Sequence, residues 1–283
     1  MTDEPSSDDQ STGAPLTDGL TYLVDADGVA TITIDATDAG NSLTSSMRDG
    51  MTALFEWASS DHAVRVIVLT GAGDRHFCTG ANLGGPQKPT PARPEGAPDR
   101  LLGDGTRMIR RGWQRLIASI LDSEKPVVAR VNGTAAGGGA HLVLACDLVV
   151  ANAQAKFGIP EAKRGLAAAA GGLVRLPRQI SPRLAMELAL TGDFITAQRA
   201  YEIGLINRLT DGVALDGALE LAASITANGP LAVAASKRVI VESRDWSESD
   251  MWKKQTEALG TLFMSEDARE GAAAFAQKRK PEW

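Results

Sequence analysis

The chain has 283 residues, 43% of them hydrophobic and 23% charged, which is the balance of a globular protein able to bury a core. With 29 glycines and 13 prolines it is neither fibrous nor disordered throughout. Its formal net charge of −6 argues against a nucleic acid partner, because phosphate binding needs a basic surface. The length allows one large domain or two small ones.

Cysteine content and the N-terminus predict a cellular location. Cys78 and Cys146 are too few for a disulfide framework, which favours a reducing compartment. Residues 1–10 are acidic and polar, without the basic start or apolar stretch of a secretion signal. No apolar run approaches the roughly 18 residues that span a bilayer. We therefore expect a cytoplasmic protein with no membrane partner.

The predicted elements begin after a polar N-terminal segment. Residues 1–18 contain little that could pack and are predicted to form a disordered acidic tail. Two short β-branched runs, 20–24 and 28–35, predict a hairpin. Next comes a helix with Asn41 or Ser42 as its N-cap. This helix covers 43–58 and is followed by a strand over 64–69 and a long surface loop over 84–98. The next predicted elements are a helix over 101–121, a strand over 126–131, a helix starting near the glycines at 137–139 and a strand over 147–152.

Beyond about residue 160 strand patterns nearly stop and helical spacing dominates. The pattern therefore indicates an α/β protein with a helical C-terminal section.

Two glycine-containing turns, 71–83 and 132–141, follow predicted strands. Glycine permits close backbone approach, and the second turn opens a helix whose free N–H groups and dipole favour negative charge. A pair of such donors could hold a developing enolate. Either turn considered alone is better explained as a simple change of chain direction.

Other chemistries do not fit. The dinucleotide fingerprint fails because His76 replaces its third glycine, and no helix pattern opens there. The phosphate-binding P-loop and the Gly-x-Ser-x-Gly nucleophile elbow are absent. His62, His76 and His141 lack metal-ligand spacing, and neither cysteine lies in a Cys-x-x-Cys pair, so no metal is expected.

A series of motifs runs in one order from about Leu20 to the end: Phe77–Leu83, Pro126–Gly133, Ala136–Gly139, Ala145–Asp147, Phe157–Glu161, Gly171–Pro177, Ala185–Gly192, Ala200–Asn207 and Glu270–Pro281. Through them the chain resembles the crotonase superfamily, the enoyl-CoA hydratase/isomerase family. The resemblance implies a crotonase-like ββα spiral core, here over 19–205. It also implies a C-terminal helical trimerisation region over 206–283, in a homotrimer or a dimer of trimers.

The resemblance further implies an acyl-CoA thioester substrate and no separate cofactor, since coenzyme A is part of the substrate. Backbone N–H groups of Ala81 and Gly138 would form the oxyanion hole, and Glu161 would be the acid/base. Without the resemblance, Glu161 is better explained as an exposed first-turn glutamate after Pro160. Lys278 and its basic neighbours could meet the CoA phosphates or remain a solvated tail. The expected substrate-binding residues are Cys78, Gly80, Asn82, Leu83, Gly137 and Lys278.

The departures from the family pattern bear on mechanism. His141 stands where family hydratases usually carry a second glutamate, one helical turn after Gly138. The helix dipole should lower its pKa, and a neutral imidazole could then accept a water proton. A histidine packed in the first turn and satisfied by the backbone explains it equally well. Asn82 replaces a frequent Asp, and the segment 39–43 lacks the basic residue and proline of an early family motif.

Three functions follow from these residues. The preferred one is a 2-enoyl-CoA hydratase of fatty acid metabolism, because hydration is the commonest family activity; Glu161 would transfer the α-carbon proton and His141 would orient or deprotonate water. The second is an enoyl-CoA isomerase with Glu161 as sole acid/base. The third is a non-catalytic acyl-CoA-binding protein, against which the retention of Glu161 argues. Acyl chain length and branching are not defined by the sequence.

Overall fold

The computed structural model describes residues 13–82, 110–211 and 214–283. The strands of these residues are β1 (Leu20–Val24), β2 (Val29–Ile34), β3 (Val66–Gly71), β4 (His76–Cys78), β5 (Val127–Val131), β6 (Thr134–Ala136), β7 (Leu148–Asn152), β8 (Lys156–Gly158), β9 (Phe194–Thr196) and β10 (Arg208–Thr210). The helices are α1 (Ser45–Ser60), α2 (Arg115–Leu121), α3 (Gly138–Ala145), α4 (Gly172–Gln179), α5 (Pro182–Thr191), α6 (Ala197–Glu202), α7 (Ala214–Thr226), α8 (Pro230–Glu242), α9 (Met251–Leu259) and α10 (Glu266–Gln277).

The strands form two sheets. The larger has the order β1-β2-β3-β5-β7-β10, with β1 and β2 antiparallel and the other neighbours parallel. The smaller has the order β4-β6-β8-β9, parallel except for its last pair. Each long strand β3, β5 and β7 is followed by a short strand and then, after β6 and β8, by helical backbone. This repetition is the predicted ββα spiral, which is thereby confirmed.

The central strands of the larger sheet are buried on both faces. Side chains alternate along a strand, so Ile67 and Leu69 of β3 join the main core while Val66 and Val68 point to the opposite face. Helix α7 covers that opposite face. Strand β3 is accordingly buried along its whole length and begins with four apolar residues, as expected for a parallel strand between two layers.

The predicted hairpin and central strands are confirmed within two residues at their ends. The predicted N-cap of α1 is wrong. Thr44 caps the helix by accepting a hydrogen bond from the Met47 N–H. Asn41 instead has a left-handed backbone with φ 54°. Its buried amide links three loop groups, namely Ala36 N–H, Ala72 C=O and His76 C=O.

The predicted segment boundaries differ from the packing. Residues 1–12 lie outside the described residues, but Ala14 packs on the core and Thr17 lies against Gly50, so the end of the predicted tail belongs to the fold. The predicted boundary at 205/206 precedes β10, which pairs with β7, and α7, which buries Ala218 and Ala222 against the sheet. The core therefore continues through α7.

The part of the predicted 101–121 helix before residue 110 and the predicted 84–98 loop lie outside the described residues. In the described part, Arg110–Gln114 is a π-helical turn that leads into α2. No single helix among the described residues is long and apolar enough to cross a membrane; one bent pair, Asp216–Thr226 with Pro230–Asp245 at 108°, passes by length and composition.

Candidate active site

The ends of two short parallel strands bring the two glycine turns together. Strand β4 pairs with β6, so the residues after Cys78 lie beside those after Ala136. Gly80 has φ +97°, and a Cβ there would lie 3.0 Å from the Gly138 nitrogen and 3.1 Å from the Ala136 carbonyl oxygen. Only glycine permits so close an approach with that backbone conformation.

Each turn presents a free backbone donor. Leu43 forms a parallel bridge with Ala81: its N–H donates to Gly80 C=O (2.8 Å), and its C=O accepts from Asn82 N–H (3.1 Å). The Ala81 N–H therefore points away from the bridge, and it has no hydrogen bond to any described residue. The Gly138 N–H opens α3 after Gly137, which has no side chain to cap it, and is likewise unpaired within the described chain.

Glu161 lies against the second turn. The Gly137 N–H donates to Gly158 C=O at the end of β8, and the helical turn Pro160–Arg164 follows at once. A Cβ on Gly137 would lie 3.5 Å from Glu161 Oε1, so the absent side chain leaves room for the carboxylate. Glu161 is 17% exposed, not an exposed surface glutamate. Burial raises its pKa, opposed by its own backbone N–H and the Arg164 charge.

His141 lies beside Glu161. Its Nε2 is 3.2 Å from Glu161 Oε1, and its side chain is 2% exposed. Burial lowers its pKa to about 4, so the imidazole is neutral near pH 7. The lowered pKa has the predicted direction, and its cause is burial. The 3.2 Å contact lacks hydrogen-bond direction. Among the described residues neither ring nitrogen has a hydrogen-bond partner, so no described backbone group satisfies the ring, contrary to the backbone-satisfied alternative.

Gly172 makes room for His141, a role that sequence reasoning missed. A Cβ at Gly172 would lie 2.5 Å from His141 Nε2. In the sequence Gly172 appeared only within the motif Gly171–Pro177, and nothing in that motif indicates which residue it contacts.

The remaining predicted site residues divide into three groups. Cys78 is buried beneath the first turn, where its Sγ accepts from the Gly80 N–H at 3.4 Å and burial raises its pKa to about 12. Its buried side chain therefore supports the turn from below, and its predicted contact with a substrate stays a prediction. Asn82 follows Ala81 on the same turn, while Leu83 lies outside the described residues.

Lys278 is exposed just after α10, which packs on α8, and no hydrogen bond connects it to Glu161 or His141.

Within the described residues no group of three His, Cys, Asp or Glu could hold a metal ion. The absence of a separate cofactor stays a prediction.

A ββα spiral that places two free N–H groups beside a buried carboxyl group defines a crotonase-type protein. A family model described as enoyl-CoA hydratase/isomerase matches residues 25–283. An enoyl-CoA hydratase of Mycobacterium tuberculosis is 40% identical over 253 residues, covering 88% of this chain and 91% of that one. A carnitinyl-CoA dehydratase of Proteus mirabilis is 36% identical over 268 residues, covering 93% and 97%.

The fold gives the same result. The crystal structure of an enoyl-CoA hydratase from Mycobacterium tuberculosis matches with a TM-score of 0.81 at 40% identity, covering 94% of this chain and 98% of that one. The chain belongs to the enoyl-CoA hydratase/isomerase family. The predicted fold, the predicted family and the predicted acyl-CoA-processing enzyme are confirmed.

Proposed function

We propose that this protein is a 2-enoyl-CoA hydratase that works through an enolate. The observation that carries the proposal is the Glu161–His141 pair, buried with a 3.2 Å contact beside the unpaired N-terminus of α3. Three buried atoms of this pair have no hydrogen-bond partner in the part of the chain that the structure describes: His141 Nδ1, His141 Nε2 and Glu161 Oε2. Buried polar atoms in proteins are nearly always satisfied, so these atoms are suited to a reacting water and substrate.

The two backbone N–H donors determine that negative charge develops on the thioester oxygen of the substrate. The thioester oxygen accepts hydrogen bonds from Ala81 N–H and Gly138 N–H. When the oxygen of water bonds to the β-carbon, the π electrons move toward the α-carbon and the thioester, and the oxygen becomes an enolate. Fixed N–H donors and the positive end of α3 stabilise that charge without reorganising.

The side chains carry the protons. Glu161 in its protonated form gives a proton to the α-carbon, and its raised pKa favours that form. The neutral His141 accepts a proton from the attacking water. The imidazole then turns toward Glu161 Oε1, 3.2 Å from its Nε2, and returns this proton to the carboxylate, which completes the addition of one water and restores both groups.

Isomerisation of an enoyl-CoA is the second candidate. It needs one acid/base and no water. The nearly complete burial of His141 favours it, because a side chain 2% exposed gives water little access. Dehydration of a hydroxyacyl-CoA is hydration reversed and uses the same groups, and a non-catalytic acyl-CoA-binding protein is the outcome if no turnover occurs.

We further propose a homotrimer or dimer of trimers, a cytoplasmic location and a role in fatty acid metabolism. Assembly is supported by large apolar side chains that the C-terminal helices leave exposed in the single chain, such as Phe263 (72%), Met264 (80%) and Phe275 (88%). The free, buried thiols of Cys78 and Cys146 agree with a reducing compartment.

The test measures crotonyl-CoA hydration and 3-enoyl-CoA isomerisation for the wild type, Glu161→Gln and His141→Gln. Hydration lost in both variants supports the hydratase. Isomerisation that depends on Glu161 but not on His141, without hydration, supports the isomerase. Tight binding of CoA esters with no turnover in the wild type would contradict both enzymatic proposals.

A further inference from the structure

Arg48 on α1 contacts the first donor turn through Leu43. Its Nη1 donates to the Leu43 carbonyl at 3.0 Å. That same carbonyl accepts from Asn82 N–H, and the Leu43 N–H donates to Gly80. Arg48 therefore holds the residue that fixes the backbone on both sides of Ala81.

Trp113 contacts the second donor turn. A Cβ on Gly138 would overlap the indole ring, with Cζ3 at 2.7 Å, so the ring packs directly on the Gly138 α-carbon. Trp113 is partly buried against the core and is carried by the π-helical turn Arg110–Gln114. Such turns often occur at functional sites because they redirect side chains.

The Arg48 guanidinium that bonds to the Leu43 carbonyl also contacts the Trp113 ring. The Arg48 Cζ lies 5.3 Å from the centre of the Trp113 ring, a cation–π contact. A Cβ on Gly112 would lie 3.3 Å from Arg48 Nε, so glycine next to Trp113 lets the guanidinium approach. The buried Nε has no hydrogen-bond partner among the described residues, while the rest of the guanidinium contacts the Leu43 carbonyl and the Trp113 ring.

We infer that Arg48 is a positioning residue for the oxyanion hole, linking the Ala81 turn through Leu43 to the Gly138 turn through Trp113. The inference rests on the proposed function. Oxyanion donors act only when their spacing fits the developing oxyanion, and one lost donor typically costs about 10²–10³ in kcat. Arg48 touches neither donor N–H directly, so its removal should loosen their spacing and cost less.

The test compares Arg48→Met, which keeps length but removes the charge and the donor, with Lys254→Met. The control removes the chain's other described cation–π contact, Lys254 over Trp246 at 5.9 Å in the C-terminal helices. We expect Arg48→Met to lower kcat for crotonyl-CoA hydration about 10- to 50-fold with KM within threefold, and Lys254→Met to change neither. Arg48→Lys should retain part of the kcat that Arg48→Met loses, because it keeps a cation over the ring.

A second readout does not depend on turnover. The absorption band of a bound dimethylaminocinnamoyl-CoA moves to longer wavelength when its carbonyl is polarised. The shift seen with the wild type should be at least halved in Arg48→Met and in Trp113→Phe, the latter serving if Arg48→Met does not fold.

An unchanged band and a kcat within twofold in these variants would overturn the role of Arg48. A wild-type band shift without hydration or isomerisation would overturn the proposed function instead, while the variants' bands would still decide the role of Arg48.

Discussion

The two sides of the candidate site are built differently. The donor side consists of backbone N–H groups, held by the Leu43–Ala81 bridge and by the close contact of Gly80 with the Gly138 nitrogen. The acid/base side consists of two side chains, Glu161 and His141, most of whose buried polar atoms have no hydrogen-bond partner among the described residues.

Because of this difference, the position of the donors and the protonation of the acid/base groups can be changed separately. The donor side depends on where the backbone runs, so it should fail when an added Cβ moves the chain. The acid/base side depends on which groups are present and on their protonation, so it should fail when the side chain is exchanged without moving the chain. Four substitutions test this contrast.

Glu161→Gln should have the largest effect. It keeps the shape of the side chain but removes the transferable proton, so hydration should fall about 10⁴-fold, equivalent to about 5 kcal/mol. Initial rates with crotonyl-CoA measure it. Glu56→Gln, which changes an exposed glutamate paired with Arg115, is the matched control. A loss smaller than tenfold would remove Glu161 from the chemistry.

His141 should make stability depend on pH. Its pKa is about 4 when folded and about 6.5 when unfolded. As pH falls below 6.5 the unfolded chain takes up the proton first, so folding loses about 3 kcal/mol between pH 6.5 and 4. Urea unfolding of the wild type and His141→Gln across this window measures the difference. Glu161, whose raised pKa acts in the opposite direction, is present in both proteins. Parallel stability curves would show that His141 is not buried neutral.

Gly80→Ala should damage the donor side without touching the acid/base pair. The new Cβ lies 3.0 Å from the Gly138 nitrogen at φ +97°, so the two donors must separate. We expect kcat to fall about 100-fold, about 2.7 kcal/mol. Gly204→Ala is the matched control, since it has φ +76° with nothing within 4 Å of the new Cβ. Equal losses in the two variants would point to backbone strain alone.

The contrast also explains what could be predicted from sequence. The strands follow from local apolar runs, and the two turns follow from glycines such as Gly80 and Gly138. The spiral and the donor roles of those turns were predicted only through the resemblance to the family. The burial of His141 does not, because it depends on contact between α3 and the start of α4 at Gly172, which no local pattern encodes. The π-helical turn Arg110–Gln114, which places Trp113 against Gly138, was also not predicted, because its sequence has the spacing of an ordinary helix.

Gly172→Ala should lower the rate of hydration least of the four substitutions, and it tests the role of His141 most directly. A Cβ 2.5 Å from His141 Nε2 must push the imidazole away from Glu161, so hydration should fall about tenfold, about 1.4 kcal/mol. Any 3-enoyl-CoA isomerisation should persist, because it needs Glu161 alone. Adding Gly172→Ala to His141→Ala should then cost nothing further, since the clash is gone. If instead the two losses add, the alanine acts by distorting α4, and the contact between Gly172 and His141 does not set the water-activating geometry.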